Sequence, residues 1–260
     1  MSSSPVQRPE LPVERLVIML GIDTAGRSGS VALVDETQVL ASFYLRQVPS
    51  VSSHLMRLVA AVCAQAGYRV NDLGGLAVSL GPGGFTSLRV GLATAQGLAM
   101  AVGKPLVGCS TFEALVAMAA GWHGIVCPVL EARRGEVYAA FYSRQDTAVR
   151  EIMSGMVTTP DALCTLVTER TLFLGSGVRV YRTLLTATLG AQAVCLESVA
   201  EGELAASVAR LGQARLHHAS MVAWQPLTPL YIRAADARLP RYPVTGADDS
   251  LPRVTTESEP

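Results

Sequence analysis

The chain is short of charge. Only 16% of its 260 residues are Asp, Glu, Lys or Arg, against roughly 25% in an ordinary soluble protein. Formal net charge is zero, which argues against a duplex-binding domain that works by neutralising phosphates. It leaves room for a subunit whose partner holds the nucleic acid. No glycine loop ends in G-K-[ST], no G-x-S-x-G elbow is present and no cysteine is paired with a nearby histidine, so the usual phosphate and nucleophile machinery is missing. His54 and His123 have Leu58 and Cys127 at i+4, and His217-His218 are adjacent, so no zinc pair is encoded. The five cysteines (Cys63, Cys109, Cys127, Cys164, Cys195) are odd in number, well separated and set among apolar neighbours. They read as buried free thiols of a reducing compartment, not as a disulfide frame. The apolar run Leu16–Leu20 behind a polar, proline-containing start is too short for a signal-peptide core. The expected setting is the cytoplasm.

What the chain has is apolar residue, 50% of the total. That is enough for a large core with apolar surface to spare. The clearest stretch is Gly81–Gly103, a glycine loop feeding a helix predicted over 85–102 in which Arg89 is the sole charge. Phe85, Leu88, Leu92, Ala95, Ala99 and Val102 form one helical stripe. The opposite stripe, Ser87, Gly91, Thr94, Leu98 and Ala101, is mostly small. Such a helix expects neighbours on both sides. Two readings stand: a central core helix, or a helix with one side on its own sheet and the other on a partner protein. The length would span a bilayer, but Arg89, Gln96 and the Gly/Ala content argue against that.

In chain order, residues 1–15 read as a disordered leader. Strands are expected at 16–23, 30–34 and 39–45, linked by short turns into a meander. A helix follows over 54–66, capped at Ser52 or Ser53 and stopped by Gly67. A strand at 75–80 then leads into the glycine loop, giving the order β-β-β-α-β-α over 16–105. Residues 106–233 read as a second α/β half. It has strands at 106–109, 125–130, 137–142 and 171–174, and helices at 111–120, 161–169 and 203–216. Ser110 with Glu113 has capping-box spacing, and Thr159 is a second cap. Residues 226–233 read as a docked extended segment and 234–260 as a disordered tail.

Three places could carry chemistry. Gly81, Pro82, Gly83 and Gly84 sit where strand meets helix; their amides could hold a phosphate or carboxylate, or simply make a tight turn. Asp23-Thr24, at the end of the first strand, suits a phosphate or metal-water contact, or a turn aspartate satisfying nearby amides. Glu131, Arg133, Arg134 and Glu136 form a charged patch between two strands. It reads as a solvated hairpin end or as a partner contact.

Taken together, these pieces resemble one family. The first-strand I-D-T with its glycine turn, the GPG-x-FT-x-LR-x-G loop-helix, P-L-V-G-x-S-T-F-E-A-L, E-A-R-R-x-E-V-Y, G-S-G-x-x-x-Y and P-x-Y-I-R all match TsaB (YeaZ). That family is the dimerisation subunit of the bacterial tRNA threonylcarbamoyladenosine machinery. The match runs from about residue 16 to 233. Gly84 stands where the family has Ser, Ser87 where it has Gly, and Glu131 where it has Asp.

The resemblance implies an actin/Hsp70/sugar-kinase-like (ASKHA) fold with two related α/β halves, the C-terminal helix packing back on the first. It implies a non-catalytic scaffold that pairs with the paralogue TsaD and with the ATPase TsaE and touches tRNA through the complex; whether the free chain is a homodimer or a monomer stays open. Docking would run through helices 54–66 and 85–102, with His54, Leu55, Leu58, Val62, Phe85, Leu88, Arg89, Leu92, Ala95 and Gln96 as contacts. TsaD holds its metal partly through two histidines four apart, where this chain has Thr111 and Leu115; neither replaces an imidazole. No cofactor is expected, beyond a vestigial nucleotide site at Asp23, Thr24 and Gly81–Gly84. An alternative stands beside this: an ATP- or metal-dependent enzyme of the same superfamily, sugar-kinase-like or glycoprotease-like.

Overall fold

A computed structural model describes residues 17–46, 52–196, 204–218 and 226–232. Two five-stranded sheets are built on one plan. The first holds β1 (Met19–Asp23), β2 (Gly29–Val34), β3 (Val39–Leu45), β4 (Gly75–Gly81) and β5 (Leu106–Ser110), in the order β3-β2-β1-β4-β5. The first three are an antiparallel meander, and β4 and β5 join parallel to β1. Helix α1 (Ser52–Ala66) connects β3 to β4, and α2 (Phe85–Val102) connects β4 to β5. The second sheet repeats this with β6 (Gly124–Glu131), β7 (Val137–Gln145), β8 (Ala148–Thr158), β9 (Thr171–Leu174) and β10 (Ala193–Cys195), in the order β8-β7-β6-β9-β10. Its connecting helices are α4 (Pro160–Thr165) and α5 (Ser176–Leu189). Helix α3 (Thr111–Ala117) links the two sheets, and α6 (Leu204–His218) returns to lie on the first.

β1 and β2 are buried along their whole length, which is why they read as apolar runs without polar alternation. One face, with Leu20, Ile22, Val31 and Leu33, packs under α1 and α2. The other, with Met19, Ala32 and Val34, packs under α6. That second contact is close: a Cβ on Gly21 would strike the Ala205 carbonyl and Ala209. The α6 face that meets the sheet is correspondingly small, with Ala205, Val208, Ala209 and Gly212 buried.

A polar knot ties the crossing helices. The expected capping box is present: Phe112 N–H donates to Ser110 Oγ at 3.2 Å and Ser110 N–H to Glu113 Oε2 at 2.9 Å. Arg215 on α6 donates to the other Glu113 oxygen and to the Gly108 carbonyl, both at 2.6 Å. Thr159 caps α4 as expected, accepting from Ala162 N–H at 3.3 Å.

The structure corrects several sequence expectations. Leu106–Ser110 pairs parallel with β4 and completes the first sheet, so that sheet runs past the expected boundary at 105. Helix α3 stops at Ala117 and α4 at Thr165. Strands β8 and β10 were not anticipated. β8 is an edge strand whose first seven residues are exposed, so it lacks the apolar alternation that marks a half-buried strand. The expected leader and the tail from 234 lie outside the described residues, and α1 already begins at Ser52, so Ser52 and Ser53 fall in its first turn and do not precede it as caps. Among the described residues no helix is long and apolar enough to cross a membrane.

Candidate docking face and glycine loop

Helix α2 is framed by glycine. Gly84 stands at its N-cap, and Gly103 takes the left-handed conformation, φ 63°, at its end. Lys104 N–H then reaches the Ala99 carbonyl at 3.0 Å, so the last turn is closed by backbone. Helix α1 lies beside α2, and both cover the first sheet.

The large aliphatics of both helices point inward. Leu55, Leu58 and Val62 on α1, and Leu88, Leu92 and Ala95 on α2, are all buried in the chain's own core. The side chains of these six expected contacts therefore face the home sheet. Burying a leucine or valine yields about 1.5–3 kcal/mol, and the home sheet is the nearest apolar surface. Of the other expected contacts, His54 and Gln96 are half-buried, while Phe85 and Arg89 are exposed. The small stripe is divided as well: Gly91 is buried, where a Cβ would strike Thr24 Oγ1, and Ala101 is exposed. Off that stripe, a Cβ on Gly97 would meet nothing within 4 Å.

The outward face is therefore a different set. On α2 it is Thr86, Arg89, Ala93, Gly97, Met100 and Ala101; on α1 it is Met56, Arg57, Ala60 and Ala64. Met100 is 63% exposed and Met56 51%. Each stripe carries one cation and no anion. Met at the outer surface of two small-residue helices makes a smooth, adaptable apolar face.

A segment that sequence reasoning placed only as "docked" borders this face. Gln96 Nε2 donates to the Leu227 carbonyl at 2.8 Å, and Leu230 N–H to the Leu80 carbonyl at 2.7 Å. Tyr231 stacks on Phe85 with ring centroids 5.3 Å apart, and its hydroxyl accepts from Arg89 Nε at 2.8 Å. Ile232 then lies against Gly155 on β8 and against the α3 core. Residues 226–232 thus form a strap from α2 to the second sheet.

The glycine loop closes on the chain itself. Gly84 N–H donates to the Ala25 carbonyl at 2.8 Å, and a Cβ on Gly83 would run into that same carbonyl. Ala25 N–H donates to Asp23 Oδ1 at 3.2 Å. Thr24 Oγ1 donates to the Ser87 carbonyl at 2.8 Å. These bonds fit a tight turn at Gly83-Gly84 and a turn aspartate at Asp23. The junction between β1 and α2 is closely packed at Gly83 and Gly91. Thr111 and Leu115, at the positions implied for metal-binding histidines, are both buried. Among the described residues no group of three or more His, Cys, Asp or Glu is placed to hold a metal. The Glu131–Glu136 patch is the β6–β7 turn, closed by Ala132 N–H on the Glu136 carbonyl at 2.9 Å. Cys63, Cys109, Cys127 and Cys164 are buried thiols outside any disulfide and Cys195 is half-buried, and burial pushes the Cys109 thiol up to about 11.

A family model described as TsaD, tRNA N6-adenosine threonylcarbamoyltransferase, matches residues 39–240. The chain is 26% identical over 224 residues to the tRNA threonylcarbamoyladenosine biosynthesis protein TsaB of Bacillus subtilis (strain 168), covering 84% of this chain and 95% of that one. It superposes with TM-score 0.68 and 25% identity on a Pseudomonas aeruginosa structure described as an uncharacterized protein with similarity to peptidase YEAZ, covering 84% of this chain and all (100%) of that one. A more distant likeness shows the fold alone: component A of (R)-2-hydroxyglutaryl-CoA dehydratase from Acidaminococcus fermentans, with TM-score 0.50, 10% identity, and coverage of 77% and 99%. With the repeated sheet plan, these likenesses bear out the expected actin/Hsp70/sugar-kinase-like (ASKHA) fold.

Proposed function

The chain belongs to the TsaD family of tRNA N6-adenosine threonylcarbamoyltransferases, in its TsaB (YeaZ) branch, and from that premise we propose that it is a non-catalytic subunit of the machinery that makes tRNA N6-threonylcarbamoyladenosine. It acts in the cytoplasm and docks a TsaD paralogue through the outward faces of α1 and α2. One observation carries this reading. Two adjacent helices whose aliphatic stripes are already spent on the home sheet still present Met56, Ala60, Ala64, Gly97, Met100 and Ala101 outward. A partner that shares this family's fold would offer an equivalent helix pair, and small residues let such pairs approach closely. The absence of catalysis is supported by Thr111 and Leu115. Both are built into the core, where neither could ligate a metal. TsaE joins as a third member, tRNA is reached through the complex, and the same face pairs two copies of this chain when TsaD is absent.

The test is Met100→Glu, with binding to TsaD measured by titration and the fold checked by circular dichroism. Met100 is exposed, so the variant folds. A charge buried without a partner at the centre of an interface costs about 2 kcal/mol or more, so affinity falls at least about 30-fold. Native affinity in the folded variant refutes the reading. The enzyme alternative is separated by incubating the isolated chain with ATP and magnesium; turnover there would favour it.

A further inference from the structure

Arg89 is the one charge on α2, and it is held with care. Its guanidinium carbon lies 3.9 Å from the Phe85 ring centroid, one helical turn back, and 5.8 Å from that of Tyr231. Its Nε donates to the Tyr231 hydroxyl at 2.8 Å. Among the described residues that is its hydrogen bond, made by the inner edge of the group. The outer pair, Nη1 and Nη2, remains as a planar two-donor fork on an exposed residue. Phe85 (38%), Leu230 (46%) and Tyr231 (42%) are also substantially exposed. Large aromatic area and a clamped guanidinium are thus kept at the surface with no role in the core. Tyr and Arg of this kind are enriched where binding energy concentrates, and a fork fixed in advance loses little freedom on meeting a carboxylate.

The cluster is continuous with the outward α2 stripe, because Arg89, Ala93, Gly97 and Met100 follow one another along it. We propose that Arg89, clamped between Phe85 and the strap residue Tyr231, is the specificity anchor of the docking face and receives a carboxylate of the docked TsaD partner. The docking surface then includes the C-terminal strap as well as the two N-terminal helices. The inference rests on the docking reading above. It commits the partner to an acidic side chain at one end of an otherwise apolar contact. Charge complementarity supports this: the α2 stripe carries one cation and no anion, and a desolvated guanidinium there would cost binding unless the partner supplies the counter-charge.

The experiment is titration of the full-length chain and four variants with TsaD, at low and high salt, alongside their melting temperatures. Arg89→Lys keeps the charge but not the fork. Tyr231→Phe keeps the ring stack but not the hydrogen bond, and Tyr231→Ala removes both. Arg89→Lys and Tyr231→Ala are expected to weaken binding about 10-fold or more, and Tyr231→Phe by less. Melting is expected to stay unchanged in Arg89→Lys and Tyr231→Phe and to fall slightly in Tyr231→Ala, which loses the stack on Phe85. The affinity of Arg89→Lys should depend on salt as the native chain's does, because the charge is kept and only the fork is lost. Met100→Glu is the fourth variant and separates the two ideas. If it abolishes binding while Arg89→Lys and Tyr231→Ala bind as the native chain does, the anchor is overturned and the docking face survives. Native binding by all four overturns both.

Discussion

Gly97 gives the sharpest separation of folding from docking. It lies inside a helix, where glycine is about 0.8–1.0 kcal/mol less favourable than alanine. A Cβ there would meet nothing within 4 Å, so no packing term offsets the gain. Gly97→Ala should therefore stabilise the free chain by about that amount, a rise in melting temperature of about 2–4 °C at this size. Gly97→Glu keeps most of the gain, since Glu is also a good helix former. In the complex the sign reverses. The small surface that lets a partner helix approach is filled, and the Glu carboxylate is desolvated against an apolar face. At about 2 kcal/mol or more, affinity for TsaD falls about 30-fold. Calorimetric melting of the free chain and titration with TsaD read the two effects separately. A variant that melts higher and still binds natively would refute docking through this face. A variant that melts lower would show that Gly97 is not open in the free chain.

The same helix supplies the opposite case. Gly91→Ala places its Cβ on Thr24 Oγ1, which bonds the Ser87 carbonyl at 2.8 Å, and should destabilise by about 1–3 kcal/mol, read as a lower urea midpoint at unchanged slope. Asp35 tests acid sensitivity. Hydrogen bonds from the Thr37 hydroxyl, the Thr37 amide and the Gln38 amide hold its carboxyl below the ordinary 3.8. A depressed folded value gives stability that is present above the ordinary value and lost as pH falls through the folded one. The melting difference between the native chain and Asp35→Ala should therefore be constant above about pH 5 and shrink below 3.8. A difference independent of pH would contradict it.

Much of the first half could be read from the sequence because its signals are local. The meander β1–β3 is two buried runs and a third strand between short turns, and α2 is bounded by glycine at both ends. The Ser110–Glu113 capping box follows from spacing alone. The faces of α1 and α2 were harder. Periodicity separates large from small residues but does not say which stripe meets the sheet, and the large stripe proved to be internal. Gly91 and Gly97 look alike in sequence, yet only tertiary contact with Thr24 makes one of them core. β8 escaped because an exposed edge strand carrying Arg150, Glu151, Ser154 and Gly155 has no alternation to detect. The strap was recognised as docked, but its target was not. Arg89 and Tyr231 are far apart in the chain, and nothing local links them.

Methionine oxidation by hydroxyl radicals tests the docking claim most directly, because the reporters are native residues. Met56 and Met100 lie on the proposed face, 51% and 63% exposed, while Met153 on β8 is 37% exposed and lies outside it. Labelling the chain alone and in complex with TsaD should show Met56 and Met100 protected and Met153 unchanged. Protection of Met153 with Met56 and Met100 still oxidised at the free rate would place the partner elsewhere and contradict the account.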